Sequence, residues 1–214
     1  MRHHQRKPLQ PRKTFAIIAD GECEVWYFQM LNRNEHGLNV KIEPRIPQKK
    51  SLEEQFKLAK LLSEDYTRVF WIIDFDVIVS ETRAATRGAK TPLQSLIEYK
   101  KIFEADFKNV VLILNNPCLE FWLLQHFEDT CKQFNDCNSA QRQLKKHLKD
   151  YTKTSEYFTK QDHDIYLKLK TLLSTAITNA KKCQEITDAI SSNSSSQMPK
   201  FFDDDEFKER FKTK

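Results

Sequence analysis

The chain contains no apolar run that approaches the roughly 18 residues a helix needs to cross a bilayer. Its basic opening, MRHHQRKPLQPRKTF, is followed by no apolar core segment, so a secretory signal is not expected. Residues 1–13 read instead as a flexible basic tail. The five cysteines, Cys23, Cys118, Cys131, Cys137 and Cys183, are odd in number and form no Cys-x-x-Cys pair. That usage points to free thiols in a reducing, cytoplasmic setting. His126, Cys131, Cys137 and His147 match no zinc-ligand spacing. There is no internal repeat. Nor do aromatic and basic residues alternate as they would on a platform for stacked bases.

What the chain does have is core material: 39% hydrophobic residues, including 15 Phe, 3 Trp and 6 Tyr, in a length of 214. That suits one generous domain, or a domain with a helical extension. The net charge of +5 is modest and says little about partners; its distribution says more. Basic residues crowd the first segment, recur in Ser80–Lys90 (SETRAATRGAK), and run again from Arg142 to Lys153. Arg83, Arg87, Lys90, Arg142, Lys145, Lys146 and Lys149 are therefore candidates for tracking a nucleic-acid phosphate backbone, with solvated surface as the ordinary alternative.

Along the chain the elements read β-α-β-α-β-α-β-α, followed by helices. Thr14–Ala19, Arg68–Ile73 and Val110–Leu114 are short apolar runs without helical period, as expected of strands buried on both faces. Asn39–Ile46 is a plausible second strand. Ser51 with Glu54 makes a capping box for the helix LEEQFKLAKLLSED. Ser80–Lys90 lacks bulky apolar residues and reads as a mobile loop, and Pro92 opens another helix. A long helix is expected over Asp162–Ile190, a flexible linker in SSNSSSQMP, and a short terminal helix after it. The domain reading is a basic tail (1–13), an α/β core (14–135), a helical extension packed on the core (136–190), and a linker with a terminal helix (191–214). Alternating strands and helices imply a parallel sheet with helices on both faces. Ligands of such sheets bind beyond the carboxyl ends of the strands, where Asp20, Asp74 and Asn115 are expected.

The chemistry concentrates there. Asp74 and Asp76, at i and i+2 of an extended chain, would point to one side. Asp20 and Glu24 flank a tight turn at Gly21. At separations of about 6 Å each carboxylate pair repels by about 2–3 kcal/mol at an effective dielectric near 20, which protons or a cation must relieve. Hard oxygen donors suit Mg²⁺, Mn²⁺ or Ca²⁺. The plainer reading is that Glu22 and Glu24 favour a helix dipole and that Asp20 and Asp74 are turn residues. Glu120 falls in the first turn of the helix after Asn116-Pro117, where it either completes a second metal position or stabilises the helix start. Trp122, Leu123 and Phe127 read as core. His126 is either a general base or a hydrogen-bonded helix histidine. Lys153 is a candidate cation for the phosphate or leaving group, with a solvated lysine as the alternative.

Four segments resemble one family. Asp20-Gly21-Glu22-Cys23-Glu24 with Tyr27-Phe28 is similar to the Glu-Gly-x-Thr-Glu-x-x-Tyr-Phe stretch of RloB-like proteins, and Asp74-Phe75-Asp76 to their Asp-x-Asp. Asn116-Pro117 through Glu120, Trp122-Leu123-Leu124 and His126-Phe127 resembles their Asn-Pro-x-x-Glu-x-Trp-Leu-Leu-x-His-Phe. Tyr151-Thr152-Lys153 resembles the Tyr-x-Lys that follows. The chain departs from the pattern at Asp20, one methylene shorter than the usual Glu, and at Cys23, where Thr is usual. The resemblance implies a Toprim-like α/β fold, the metal-binding fold of topoisomerases, DnaG-type primases and OLD-family nucleases. It also implies a place in bacterial antiphage or abortive-infection systems, often beside an ATPase partner. On that analogy Asp20, Glu24, Asp74 and Asp76 would hold Mg²⁺ or Mn²⁺; Glu120 joins them as a candidate ligand, and Glu24, Glu120 and Lys153 are the candidate catalytic residues on DNA or RNA. Rival readings are an effector subunit held by the ATPase, docked through an exposed Phe201-Phe202, and a non-catalytic nucleic-acid-binding relative. A homo-oligomer also remains open.

Overall fold

Strand β1 (Phe15–Ala19) is buried along its whole length, and β3 (Arg68–Asp74) along all but its two ends. Both are central strands of a five-stranded sheet in the order β2-β1-β3-β4-β5, completed by β2 (Val40–Glu43), β4 (Val110–Asn116) and β5 (Ser195–Ser196). The first four strands are parallel and β5 is antiparallel to β4. The computed structural model describes residues 13–19, 21–35, 40–43, 50–183 and 193–206, with 208 and 211. The basic tail before Lys13 and the candidate ligand Asp20 lie outside the described residues.

Side-chain alternation along the strands builds two apolar layers. Phe15, Ile17, Phe70, Ile72 and Ile113 face α1 (Glu22–Asn34), α5 (Leu119–Gln125), α8 (Ile165–Lys170), α9 (Leu173–Lys182) and α10 (Pro199–Phe202). Ala16, Ile18, Val69, Trp71 and Ile73 face α2 (Leu52–Asp65), α3 (Phe75–Ala84) and α4 (Pro92–Asp106). The helices thus cover both faces, an α/β arrangement consistent with a Toprim-like core. The expected capping box at Ser51 and Glu54 is present, and Thr91 with Gln94 makes a second ahead of Pro92. The helices of the later chain, α6 (Cys137–Leu144), α7 (Ser155–Thr159) and those after them, add Leu144, Tyr157, Phe158 and Leu169 to the first layer.

Four expectations are corrected. Ser80–Ala84 is helical, the last part of α3, because Phe75 and Ile78 bury one face; the residues without bulky apolar groups lie on the open side. The long helix expected over 162–190 is broken by a 3-10 turn at Gln161–His163, by the Asp164 cap of α8 and by the turn at Thr171-Leu172; residues 184–190 lie outside the described residues. The serine-rich segment is no linker where it is described: Ser194–Gln197 are buried against the edge of β4. There Ser196 Oγ donates to Asn115 Oδ1 at 2.7 Å, and the Gln197 amide to the Leu114 carbonyl at 2.9 Å. Finally, Phe201 and Phe202 are buried, against Phe28, Phe70 and Trp122, which removes them as docking elements.

Cysteine usage also differs from the expected free thiols. Cys118 bridges Cys137 and Cys131 bridges Cys183, leaving Cys23 buried and free. Odd number and spacing carry no information about residues that meet only after folding. The bridges also take up both cysteines of the discarded zinc set. No helix among the described residues is long and apolar enough to cross a membrane.

Candidate functional site

The carboxyl ends of β1, β3 and β4 lie side by side, with Ala19 opposite Ile72 and Asp74 opposite Asn115. Strand β3 ends at Asp74, which caps α3, so Asp76 sits in the first turn of a helix and not on extended chain. The two carboxylates still influence one another, but by the turn of the chain and not by strand alternation. The junction is held by the Asp76 amide, which donates to the Pro117 carbonyl at 3.1 Å across a cis Asn116-Pro117 bond. Asp74 Oδ1 accepts from the Leu119 amide at 3.1 Å, which ties β3 to the start of α5. The Asp76 carboxylate accepts from the amides of Val77 and Cys137.

Glu24 arrives from α1. Gly21 caps that helix, and a Cβ built on it would lie 2.0 Å from Glu24 Oε2. A glycine here lets the carboxylate fold back over the main chain; any larger residue would expel it. Glu24 is 4% exposed, and burial together with the charge of Glu120 raises its pKa to about 7. Asp74 is itself held well above the usual carboxylate range by burial, then by Glu24, Glu120 and Asp76. Burial likewise raises Asp76.

Glu120 lies in the first turn of α5, after the Cys118 cap, and is 1% exposed. Its Oε1 accepts from Tyr151 Oη at 2.7 Å and from Lys153 Nζ at 2.8 Å. Its Oε2 lies 2.9 Å from the sulfurs of both Cys118 and Cys137. Burial disfavours the Lys153 ammonium, but Glu120, with the other acids behind it, outweighs that and lifts its pKa above the usual lysine value. Lys153, expected to meet a phosphate, is thus first the partner of Glu120.

Of the residues singled out from sequence, Glu24, Asp74, Asp76, Glu120 and Lys153 converge on this edge. The basic residues do not gather there as a group. Arg83, in the last turn of α3, joins Asp76, Asn116, Gln133 and Phe134 in lining an open cavity of about 580 Å³ beside the acids. Arg87 and Lys90 follow in the exposed turn after α3, Lys90 paired with Glu98. Arg142, Lys145, Lys146 and Lys149 are exposed along α6 and the turns beyond it. His126 is a core residue: Nδ1 bonds the Trp122 and Leu123 carbonyls at 3.2 Å, and burial lowers its pKa to about 4.

Tyr151 is a site residue not singled out from the sequence, although it heads the Tyr-x-Lys pair, whose two-residue spacing is its signal. Cys118, two residues before Glu120, is its neighbour by the helix start; nothing local marks Cys137, because 17 residues separate it from Glu120.

Neither the curated proteins nor the solved structures contain a match to the chain. The family model described as RloB-like protein matches residues 15–204, which takes in every converging residue above and the buried serine-rich strand. With that span covered, the chain belongs to the RloB-like family.

Proposed function

We propose that this protein is a Mg²⁺- or Mn²⁺-dependent nuclease of Toprim type that hydrolyses phosphodiester bonds in DNA or RNA, as the effector of a bacterial antiphage system. The observation that carries the reading is the meeting of Glu24, Asp74, Asp76 and Glu120 at one sheet edge, with Lys153 as the cation among them. Four carboxyls against one ammonium is an arrangement that protons or a divalent cation must neutralise. The donors are hard oxygens, which fit Mg²⁺ or Mn²⁺. Glu24, Asp74, Asp76 and Glu120 would hold the metal, with Asp20 a further proposed ligand from the end of β1.

A cation bound there supplies Lewis acidity toward a phosphate oxygen and lowers the pKa of water for attack. The chain's own groups do the rest. Gly21 and the Leu119 amide set the directions of Glu24 and Asp74. Tyr151 and Lys153 hold Glu120 by Oε1, while Oε2 faces the Cys118 and Cys137 sulfurs. Arg83 borders the cavity next to Asp76 and is placed to receive a backbone phosphate. The test is cleavage of end-labelled DNA and RNA with Mg²⁺ or Mn²⁺. Activity that survives the double change Asp74→Ala, Asp76→Ala would end the proposal.

A further inference from the structure

We propose a second metal site in this protein, a zinc-type site made of Cys118 Sγ, Cys137 Sγ and Glu120 Oε2, which exists only when the Cys118–Cys137 disulfide is reduced. The three side chains offer ligand atoms that all lie within 4.8 Å of one another. Glu120 is oriented for the task. Both hydrogen-bond donors on its carboxylate, Tyr151 and Lys153, act on Oε1, while Oε2 faces the two sulfurs at 2.9 Å each. Disulfide sulfurs have no proton to donate, so in the bridged state nothing from Cys118 or Cys137 satisfies that oxygen. Reduction turns the same two atoms into thiolate ligands.

Geometry and charge both accommodate a zinc ion. Two thiolates on one tetrahedral zinc sit about 3.8 Å apart, given bonds of about 2.3 Å. Cysteines whose Cα atoms are 5.6 Å apart can adopt that spacing by side-chain rotation. Two thiolates and one carboxylate carry three negative charges. Lys153, 3.1 Å from Cys137 Sγ and 2.8 Å from Glu120 Oε1, supplies one positive charge, and Zn²⁺ balances the remainder. Tyr151 and Lys153 then act as the outer groups that orient a ligating carboxylate. Three protein ligands leave the fourth zinc position open.

The reduction is ordinary thiol–disulfide exchange. Cys137 is part-exposed and Cys118 fully buried, so an external dithiol attacks Cys137 Sγ. The protein S–S bond breaks and Cys118 leaves as a thiolate. The second thiol of the reagent then attacks the mixed disulfide, releases Cys137, and leaves the reagent as its own disulfide. Two electrons enter the protein and the reagent is oxidised by two. Because Glu120 belongs to the acid cluster as well, zinc held here competes for one of its oxygens.

Cobalt(II) is the probe, because thiolate-to-cobalt charge transfer reports sulfur ligation that no carboxylate site can imitate. The full chain is reduced with a dithiol, freed of it without oxygen, checked by thiol titration, and titrated with Co²⁺. The expected result is one equivalent bound with a charge-transfer band, displaced by Zn²⁺ and absent from the oxidised protein. Cys118→Ser and Cys137→Ser each weaken that binding at least about 100-fold, and Glu120→Gln weakens it about 10-fold while keeping the band. Circular dichroism verifies that each variant is folded. A reduced chain without the band overturns the site, as does a band that survives in the double Cys118→Ser, Cys137→Ser variant, or a bridge the dithiol cannot open. Cleavage assays do not enter, so loss of the nuclease reading and loss of this site remain distinguishable.

Discussion

The two sides of strand β3 bury polar groups in opposite ways. In the layer formed with α2 and α4, Gln55 is buried but satisfied: its Oε1 accepts from Trp71 Nε1 at 2.8 Å and its Nε2 donates to the Lys50 carbonyl at 3.0 Å. Three residues further along the same strand, Asp74 is surrounded by Glu24, Asp76 and Glu120, groups of its own sign. The first arrangement strengthens the fold, since each donor has an acceptor. The second opposes it. Acids crowded this way are costly unless something outside the chain relieves them, which is why the edge reads as a site and the layer as a core.

Mutation should separate the two regions. The largest effect is expected from Asp74→Ala with Asp76→Ala, which should lower metal-dependent cleavage at least about 1,000-fold, equivalent to about 4 kcal/mol of transition-state stabilisation. Its metal-free melting temperature should equal or exceed that of the parent, because like charges have been removed. Phe103→Ala, in the α4 layer beside Trp71, should do the reverse: a loss of about 3–5 kcal/mol in urea unfolding, with activity per folded molecule retained. Unfolding as costly for the acid variant as for the Phe103 variant would abolish the distinction between the two regions.

pH sharpens the contrast. The pKa of Glu24 is raised in the fold to about 7, so the native chain holds a proton that the unfolded chain has released. Stability of the metal-free protein should therefore fall as pH rises from the ordinary carboxylate range toward 7, then level off. Melting curves in chelator between pH 5 and pH 8 check this, and Glu24→Gln should flatten the slope. Added Mg²⁺ should restore stability mainly at the upper end. The smallest effect is expected from Tyr151→Phe, which removes one of two donors to Glu120 Oε1. It should weaken metal binding about 10-fold, as loss of an outer-shell partner does, and leave the Phe103 layer untouched. Calorimetric titration with Mn²⁺ measures it.

Much of this was legible before folding. The apolar runs at Thr14–Ala19 and Arg68–Ile73 marked strands covered on both faces, because they are short and carry no helical period. Ser51 with Glu54 marked one helix start, since a hydroxyl and a carboxylate three places apart satisfy the same orphan amides, and Pro92 marked another. The end of a parallel strand directs its next residue to the ligand edge, which made Asp74 readable, and Glu120 followed from its helix start. Less legible was anything composition misrepresents. A run of serines looks like a linker, yet Ser196 and Gln197 find partners on β4. Phe201 and Phe202, read as exposed, pack against Phe28 of α1 and Trp122 of α5.

The sequence by itself therefore determined the α/β class, the central strands and the acids at their ends, because those follow from local periodicity and from the few residues on either side of a turn. Only the tertiary structure decided that Tyr151 and Lys153 hold one oxygen of Glu120, that Cys118 and Cys137 face the other, and that the serine-rich strand closes the sheet. Apart from that of Cys118, these are contacts between residues 17 to 81 positions apart along the chain. Their partners are selected by packing and by the demand of buried polar groups for one another, and no local pattern encodes that demand.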